Sequence, residues 1–512
     1  MEKNIMTKSS LWDFNSNVNT QFNTLDTNII VDTVIIGAGI TGITAAINLI
    51  EKEQKLCVIE SHSVALGTSG YSTGNLYIPV ETFYQNIVKK FDFETAKIIS
   101  QSRKDAIDFI ENMVIKHSIN CDFHRRPFYF FTNNKASVSL INNETSALIN
   151  LGINIEKIDR LPFSTNFLSA AKLDNQARFN PLKYLRSLAN YLSSIGCDIY
   201  ENTPCLGIKE EGDYSLVHTP KGNIKAKKVI IATHLPIGIN KFQILAFPYR
   251  SYAVAVKLKG ERYPNGNFWD IRVPGFAIST HNITSDKIDT LIVSGSSHKT
   301  GQPGFKTHEQ HYKIIENYIY KNFEVDKILY KWSAQHYQPS DGIPYIGSVS
   351  SKSKNIFIAT GYNADGLTYG TVAGLLLADL VQGKESPVIS TYNSNRFKPI
   401  ASAKKFIKEN VNSTVKYLSD YPSNVDAKNL SGIEAGEGKI IEKNGEKFAV
   451  YRDDNNELHV VSAVCTHLKC IVKWNEAEVS WDCPCHGSRF NIDGSIIEGP
   501  ALCPLKKQHI IS

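Results

Sequence analysis

Apolar positions along this chain follow two periods, and the switches between them mark out its elements. Val31-Asp-Thr-Val-Ile-Ile36 is a near-continuous apolar run, as a buried strand is. Ile43, Ala46, Ile47 and Ile50 then recur at helical spacing, and Leu56-Cys-Val-Ile-Glu60 reads as the next strand. Residues 82–120 keep helical spacing through Phe83, Ile87, Phe91, Ile99, Ala106 and Ile110. Leu182, Leu185, Leu188 and Leu192 predict another helix, with Asn180-Pro181 as its cap and first turn. Stretches around 121–131 and 245–300 read as strands, and Tyr249 to Leu258 alternates. Lys228 to Thr233 and Asn355 to Thr360 read as buried strands, the second followed by an apolar helix through Leu380. Further on, Phe448 to Tyr451 and Leu458 to Val464 are short β-type runs separated by the turn Asp453-Asp-Asn-Asn456.

Between the first strand and helix stands Gly37-Ala-Gly39-Ile-Thr-Gly42, and Glu60 closes the second strand. A strand, glycine turn, helix and terminal acid in this order seat a pyrophosphate on a helix N-terminus and a ribose on the carboxylate. A loop that is merely glycine-rich needs none of these neighbours. The fingerprint alone serves NAD and FAD equally. Gly67-Thr68-Ser69-Gly70 follows as a small-residue turn where backbone can approach a bulky ring, which favours FAD. A second strand–glycine–helix unit, with Gly361 and Gly366, comes more than three hundred residues after the first. That placement suits one long FAD, with the late helix dipole aimed at the flavin.

Two runs near the C-terminus carry the most specific chemistry. Cys465-Thr-His467 and Cys483-Pro-Cys485-His486 together offer two thiolates and two imidazoles, one of each from either loop. This set holds a 2Fe–2S cluster with sulfur on one iron and nitrogen on the other, a Rieske centre. Tetrahedral zinc also accepts Cys2His2, but zinc fingers place both cysteines before both histidines. Cys470 and Cys485 sit beside the ligands, one in each loop, where a disulfide could join them.

From about Ser431 the chain resembles a Rieske domain of the disulfide-bearing kind found in cytochrome bc complexes, with a Cys470–Cys485 bridge implied. It ends soon after Leu505, so a closing strand is expected to be short or missing. Residues 30–400 resemble the D-amino-acid-oxidase-like FAD oxidoreductases, through Ile35 to Glu60, Gln176-Ala-Arg-Phe-Asn-Pro181, Trp332 to Gly347 and Gly361 to Gly370. The whole is similar to a bacterial group in which such an oxidoreductase is fused to a C-terminal Rieske domain. The resemblance implies an α/β, Rossmann-like FAD-binding domain with an interleaved α+β substrate domain, and a small all-β Rieske domain. The expected division is an N-terminal extension (1–29), the oxidoreductase (30–400), a helix and linker (401–428) and the Rieske module (429–512). Expected cofactors are FAD and one 2Fe–2S cluster.

Composition narrows the setting. A chain of 512 residues with 42% hydrophobic content allows several domains. A net charge of +6 is too dilute to argue for nucleic acid or a membrane surface. Five of the nine cysteines fall between 465 and 503, the usage of a local metal site. No apolar core near the N-terminus resembles a signal peptide, and no apolar stretch approaches a membrane span, so the cytoplasm is expected.

The resemblance also places a substrate pocket at Trp332 to Gly347. His336 stands where amino-acid oxidases of this type often carry an arginine. Imidazole lacks the planar fork that grips a carboxylate, which counts against an α-amino-acid substrate. The bland alternative is that His336 only packs. Tyr337 and Arg272 are further pocket candidates, as are Tyr252, Trp269 and His298. The resulting expectation is oxidation of an amine or amino-acid-like C–N bond, with electrons leaving through the cluster to a protein or quinone-like acceptor. Two readings compete: electrons running inward from the cluster, and a non-catalytic redox sensor. A Rieske oxygenase is disfavoured, because no pair of histidines followed by an acid offers a mononuclear iron site.

Overall fold

The computed structural model describes residues 10–14, 18–50, 55–283, 287–396, 405–412 and 430–508. Most of the expected linker, and part of the N-terminal extension, lie outside the described residues.

Two large sheets form the first part. The strands Leu56–Ile59, Ile29–Ile36, Asn223–Ile231 and Ile356–Thr360 lie side by side in parallel, with Asp198–Tyr200 at one edge. Tyr345–Ser348 closes the other edge antiparallel. Parallel strands buried on both faces need continuous apolar runs, and Val34, Ile35, Ile230 and Ile358 are fully buried. The helices Ile40–Ile50 and Gly366–Val381 pack against each other, close enough that a Cβ on Gly374 would meet the Thr41 carbonyl at 2.7 Å. Both apolar helices enter the sheet from strands that end in glycine turns, as the sequence predicts.

The second sheet is nine-stranded and mostly antiparallel. It runs from Val325–Pro339 at one edge through Ala246–Leu258, Thr290–Lys299 and Phe276–His281 towards His124–Thr132 and Ser169–Arg178. Its strands come from between the first and last strands of the parallel sheet, so the two layers interleave along the chain. Helix His308–Asn322 covers its outer face, burying Tyr312, Ile315 and Ile319 against Tyr252, Val254 and Val256. This helix is announced by a capping box, in which Thr307 accepts from Gln310 N–H while the Gln310 side chain accepts from Thr307 N–H. The helix at 181–194 is capped by Asn180, whose side chain accepts from the N–H groups of Leu182 and Lys183.

The C-terminal part holds a three-stranded and a four-stranded antiparallel sheet. Trp481 and Phe490 fill its core beside Cys465 and Cys483. The chain closes by a short return: Lys507 bridges Val461, and Ser462 N–H donates to Lys506 O at 2.8 Å. Among the described residues, no helix is long and apolar enough to cross a membrane.

Candidate functional site

The glycine loop after Ile36 is shaped by contacts that only glycine permits. Gly37 has φ +105°, and a Cβ there would lie 2.7 Å from the Ala232 carbonyl. A Cβ on Gly42 would lie 1.9 Å from the Gly37 carbonyl, so the helix could not begin this close to the strand. Ser69 Oγ accepts from Ile40 N–H at 3.0 Å, joining the second small-residue turn to the first. Glu60 ends its strand facing the loop, and accepts from Ala38 N–H at 2.9 Å and His62 N–H at 3.0 Å. Gly361 turns at φ +79° against Pro339, and Gly366 opens the late helix.

Gly37, Gly39, Glu60, Ser69 and Gly366 line a single cavity of about 1420 Å³. It runs from Gly37, Gly39 and Glu60 past Gly67, Thr68 and Ser69 to His336, Asn363 and Gly366. A cavity of this size that is lined by both glycine turns, by the start of the late helix and by an acid fits FAD. The C-terminal part supplies one of its walls, through Glu478, Arg489, Ile496, Glu498 and Leu502.

The Cys/His loops converge in turn. The Cys465 and Cys483 thiols are hydrogen-bonded to each other: this bond pulls Cys465 down to about 7, and, with burial, pushes Cys483 up. His467 and His486 meet edge to face, with ring centroids 5.1 Å apart. Both nitrogens of His467 and Nδ1 of His486 are buried without a hydrogen-bond partner. Burial also holds the imidazoles neutral, taking His486 down to about 3 with His467 and Lys299 adding to the effect. One lone-pair nitrogen from each imidazole, beside the paired thiols, would suit iron. A disulfide joins Cys470 and Cys485 behind them, tying the two loops together.

One strand, Val325–Pro339, touches both the cavity and these loops, and its alternation places His336 and Tyr337 on opposite faces. Trp332 and His336 face the cavity side. Trp332 Nε1 donates to Tyr71 O at 2.8 Å, and His336 stacks on Tyr249 with ring centroids 6.0 Å apart. Burial, followed by His234 and Lys405, takes His336 down to about 3. Its tautomer is set by a chain of donors. Lys405 donates to Gln338 Oε1 at 2.9 Å, so the Gln338 amide N–H donates to His336 Nε2 at 3.4 Å, leaving the ring proton on Nδ1.

Ser333, Gln335 and Tyr337 occupy the alternate face, towards the C-terminal part, where Ser333 and Gln335 still line the cavity and Tyr337 does not. Ser333 donates to Glu478, Gln335 Nε2 donates to Gly487 O at 2.9 Å, and Tyr337 OH donates to His486 O at 3.5 Å. Tyr337 therefore touches the cluster loop, on the face opposite His336. Arg272 is not among the cavity-lining residues: it pairs with Asp270 and lies over the Tyr318 ring at 5.3 Å. His298 is likewise not among the lining residues, though it pairs at 2.8 Å with the hydroxyl of Tyr252, which is.

The strongest electrostatic feature was not legible in the sequence. Buried Arg250 and Arg489 both pair with Glu478, and Arg489 also pairs with Asp482 at 2.9 Å. Burial works against a charged Glu478, yet Arg250 and then Arg489 outweigh it and hold the carboxyl at about 2. Nearby, Gln302 donates to Pro484 O at 3.1 Å, and Glu476 takes His308 Nδ1 at 2.7 Å.

Comparison with known proteins gives these sites a context. A family model described as FAD dependent oxidoreductase matches residues 32–380, and the Rieske [2Fe-2S] domain model matches residues 424–509. The Bacillus subtilis protein YhfW, named as a Rieske 2Fe-2S iron-sulfur protein, is 35% identical over 478 residues, 93% of each chain. Gamma-glutamylputrescine oxidoreductase of Escherichia coli is 22% identical over 73% of this chain and 89% of its own length. In fold, glycine oxidase from Geobacillus kaustophilus superposes with a TM-score of 0.61 at 17% identity, over 72% of this chain and 99% of that one.

Proposed function

From a chain that belongs to the FAD dependent oxidoreductase family and carries a C-terminal Rieske [2Fe-2S] domain, we propose a dehydrogenase with an internal electron outlet. It oxidises an amine or amino-acid-like C–N bond and passes the electrons through its own Rieske domain to an external protein or quinone-like acceptor. When bound, FAD supplies two-electron oxidation of the substrate and the 2Fe–2S cluster supplies one-electron transfer. The observation that carries the reading is a shared residue: Gln335 lines the cavity that fits FAD and also holds the loop after His486, donating to Gly487 O.

The substrate reading follows from His336 and its neighbours. Held neutral, with its proton on Nδ1, His336 offers a single N–H donor and no cation. A free α-carboxylate finds no guanidinium fork at this position. An amine is favoured, and the E. coli relative, named for γ-glutamylputrescine, is consistent with one. Cys465, His467, Cys483 and His486 would hold the cluster, while Gly37, Gly39, Gly42 and Glu60 would seat the nucleotide. Ile496 and Leu502 from the Rieske side line the cavity.

The test is anaerobic bleaching of the flavin against a panel of amines and N-methyl amino acids. An amine should bleach it, and a one-electron dye should then be reduced much faster than dioxygen yields peroxide. Fast stoichiometric peroxide from the intact protein would refute the outlet. Bleaching only by an external reductant that first reduces the cluster would reverse the direction.

A further inference from the structure

Gln335 stands at the junction of the two redox sites, and each end of it is engaged. Its backbone carbonyl accepts from Thr68 Oγ1 at 3.5 Å, and Thr68 belongs to the small-residue turn lining the FAD cavity. Its side-chain Nε2 donates to Gly487 O at 2.9 Å and to Tyr337 OH at 3.0 Å. Tyr337 in turn donates to His486 O at 3.5 Å. Thr300 Oγ1 donates to Gln335 Oε1 at 2.8 Å, which fixes the amide so that its N–H groups face the cluster loop. The side chain is almost fully buried, so water does not compete for these bonds. The loop fits tightly here: a Cβ on Gly487 would lie 2.9 Å from Gln335 Nε2.

We propose that Gln335 is the positioning residue for electron transfer between flavin and cluster, its amide fixing the His486 loop against the wall of the FAD cavity. This rests on the internal outlet argued above. The route from Thr68 to the residue after His486 then crosses one amino acid and two hydrogen bonds. In each transfer one electron leaves the reduced flavin and one ferric ion of the cluster becomes ferrous. The second electron follows once a one-electron dye has reoxidised that iron.

The experiment uses the full-length protein carrying both cofactors. The flavin is reduced photochemically with a sacrificial amine donor, and the rise of the reduced-cluster EPR signal is timed after flavin bleaching. In Gln335→Leu, FAD content and cluster content should match the parent, and cluster reduction is timed from flavin bleaching, so that a change in bleaching itself does not enter the comparison. Cluster reduction should slow by roughly tenfold to a hundredfold, the range that follows loss of an outer partner at a metal centre. Should the leucine variant fail to load both cofactors, Gln335→Glu keeps an acceptor for Thr300 but removes the donor to Gly487, and is read the same way. Cluster reduction as fast as in the parent, in either loaded variant, overturns the role of Gln335 and leaves the outlet standing. If the parent itself bleaches its flavin and never reduces its cluster, the outlet fails, and with it this inference.

Discussion

Replacing Glu478 with Gln tests whether a buried charge cluster fixes the Rieske domain in place. Glu478 faces Arg250 from the substrate sheet and Arg489 from its own domain, and also accepts from Ser333. Its carboxyl is held at about 2, against an ordinary 4.5, and that difference corresponds to about 3 kcal/mol in favour of the ionised, docked state. Mutational losses at buried ion pairs point the same way, at about 3–5 kcal/mol when one partner is removed. Gln preserves the shape and can still accept from Ser333, so a loss of about 3 kcal/mol is expected. Because this carboxyl is depressed in the folded protein, its contribution is complete above pH 4.5. It should disappear as the pH falls from there through about 2. Urea unfolding of parent and Glu478→Gln at neutral pH, and again in steps down to pH 3, measures both effects. The two curves should lie apart at neutral pH and converge in acid. Equal midpoints at neutral pH, or a gap that does not shrink in acid, would refute the reasoning.

Gly42→Ala should abolish FAD binding, because its Cβ would lie 1.9 Å from the Gly37 carbonyl; the ratio of flavin to protein absorbance reads this, while the cluster signal should persist. Ser488→Ala should lower the cluster potential in voltammetry on the full chain, since the Ser488 hydroxyl hydrogen-bonds Cys465 and such bonds to ligand sulfur favour the reduced form. Glu478→Gln should also weaken FAD binding, by the factor by which FAD stabilises docking, because the docked domain forms part of the cavity wall. Titration of apoprotein with FAD measures it, and an unchanged Kd in a variant with a loosened domain would show the wall to be passive.

What the sequence revealed was whatever chemistry restricts to few residue types. The glycine loop is readable because the backbone contacts of Gly37 and Gly42 exclude any side chain. Candidate iron ligands are readable because thiolate and imidazole in two short loops serve few other purposes. Many strand and helix positions follow from periodicity, although the helices Lys135–Asn150 and His308–Asn322 lie outside the predicted elements, the second despite its Thr307–Gln310 capping box. The pocket candidates are less legible, and strand alternation explains why. His336 and Tyr337 are neighbours in sequence and so point to opposite faces of one strand, the first beside the cavity and the second beside the cluster loop. Arg272 reads as a pocket cation until Asp270, two residues earlier, is seen to hold it.

Contacts between distant segments leave no local mark. Arg250 and Glu478 lie 228 residues apart, and nothing about either position in the sequence announces the other. The two cofactor motifs, at opposite ends of the chain, suggest independent modules, yet in three dimensions they share a wall. That sharing has a physical consequence. A Rieske loop tethered by a flexible linker would sample many distances from the flavin, and transfer would wait for the productive one. Here Gly487, Pro484 and His486 are each hydrogen-bonded to, or packed against, the substrate sheet, and Arg250 and Glu478 add a charge pair that solvent reaches poorly. The ordering entropy has been met in folding rather than at each turnover. On the proposed function, two redox groups held this way would need no encounter step between them.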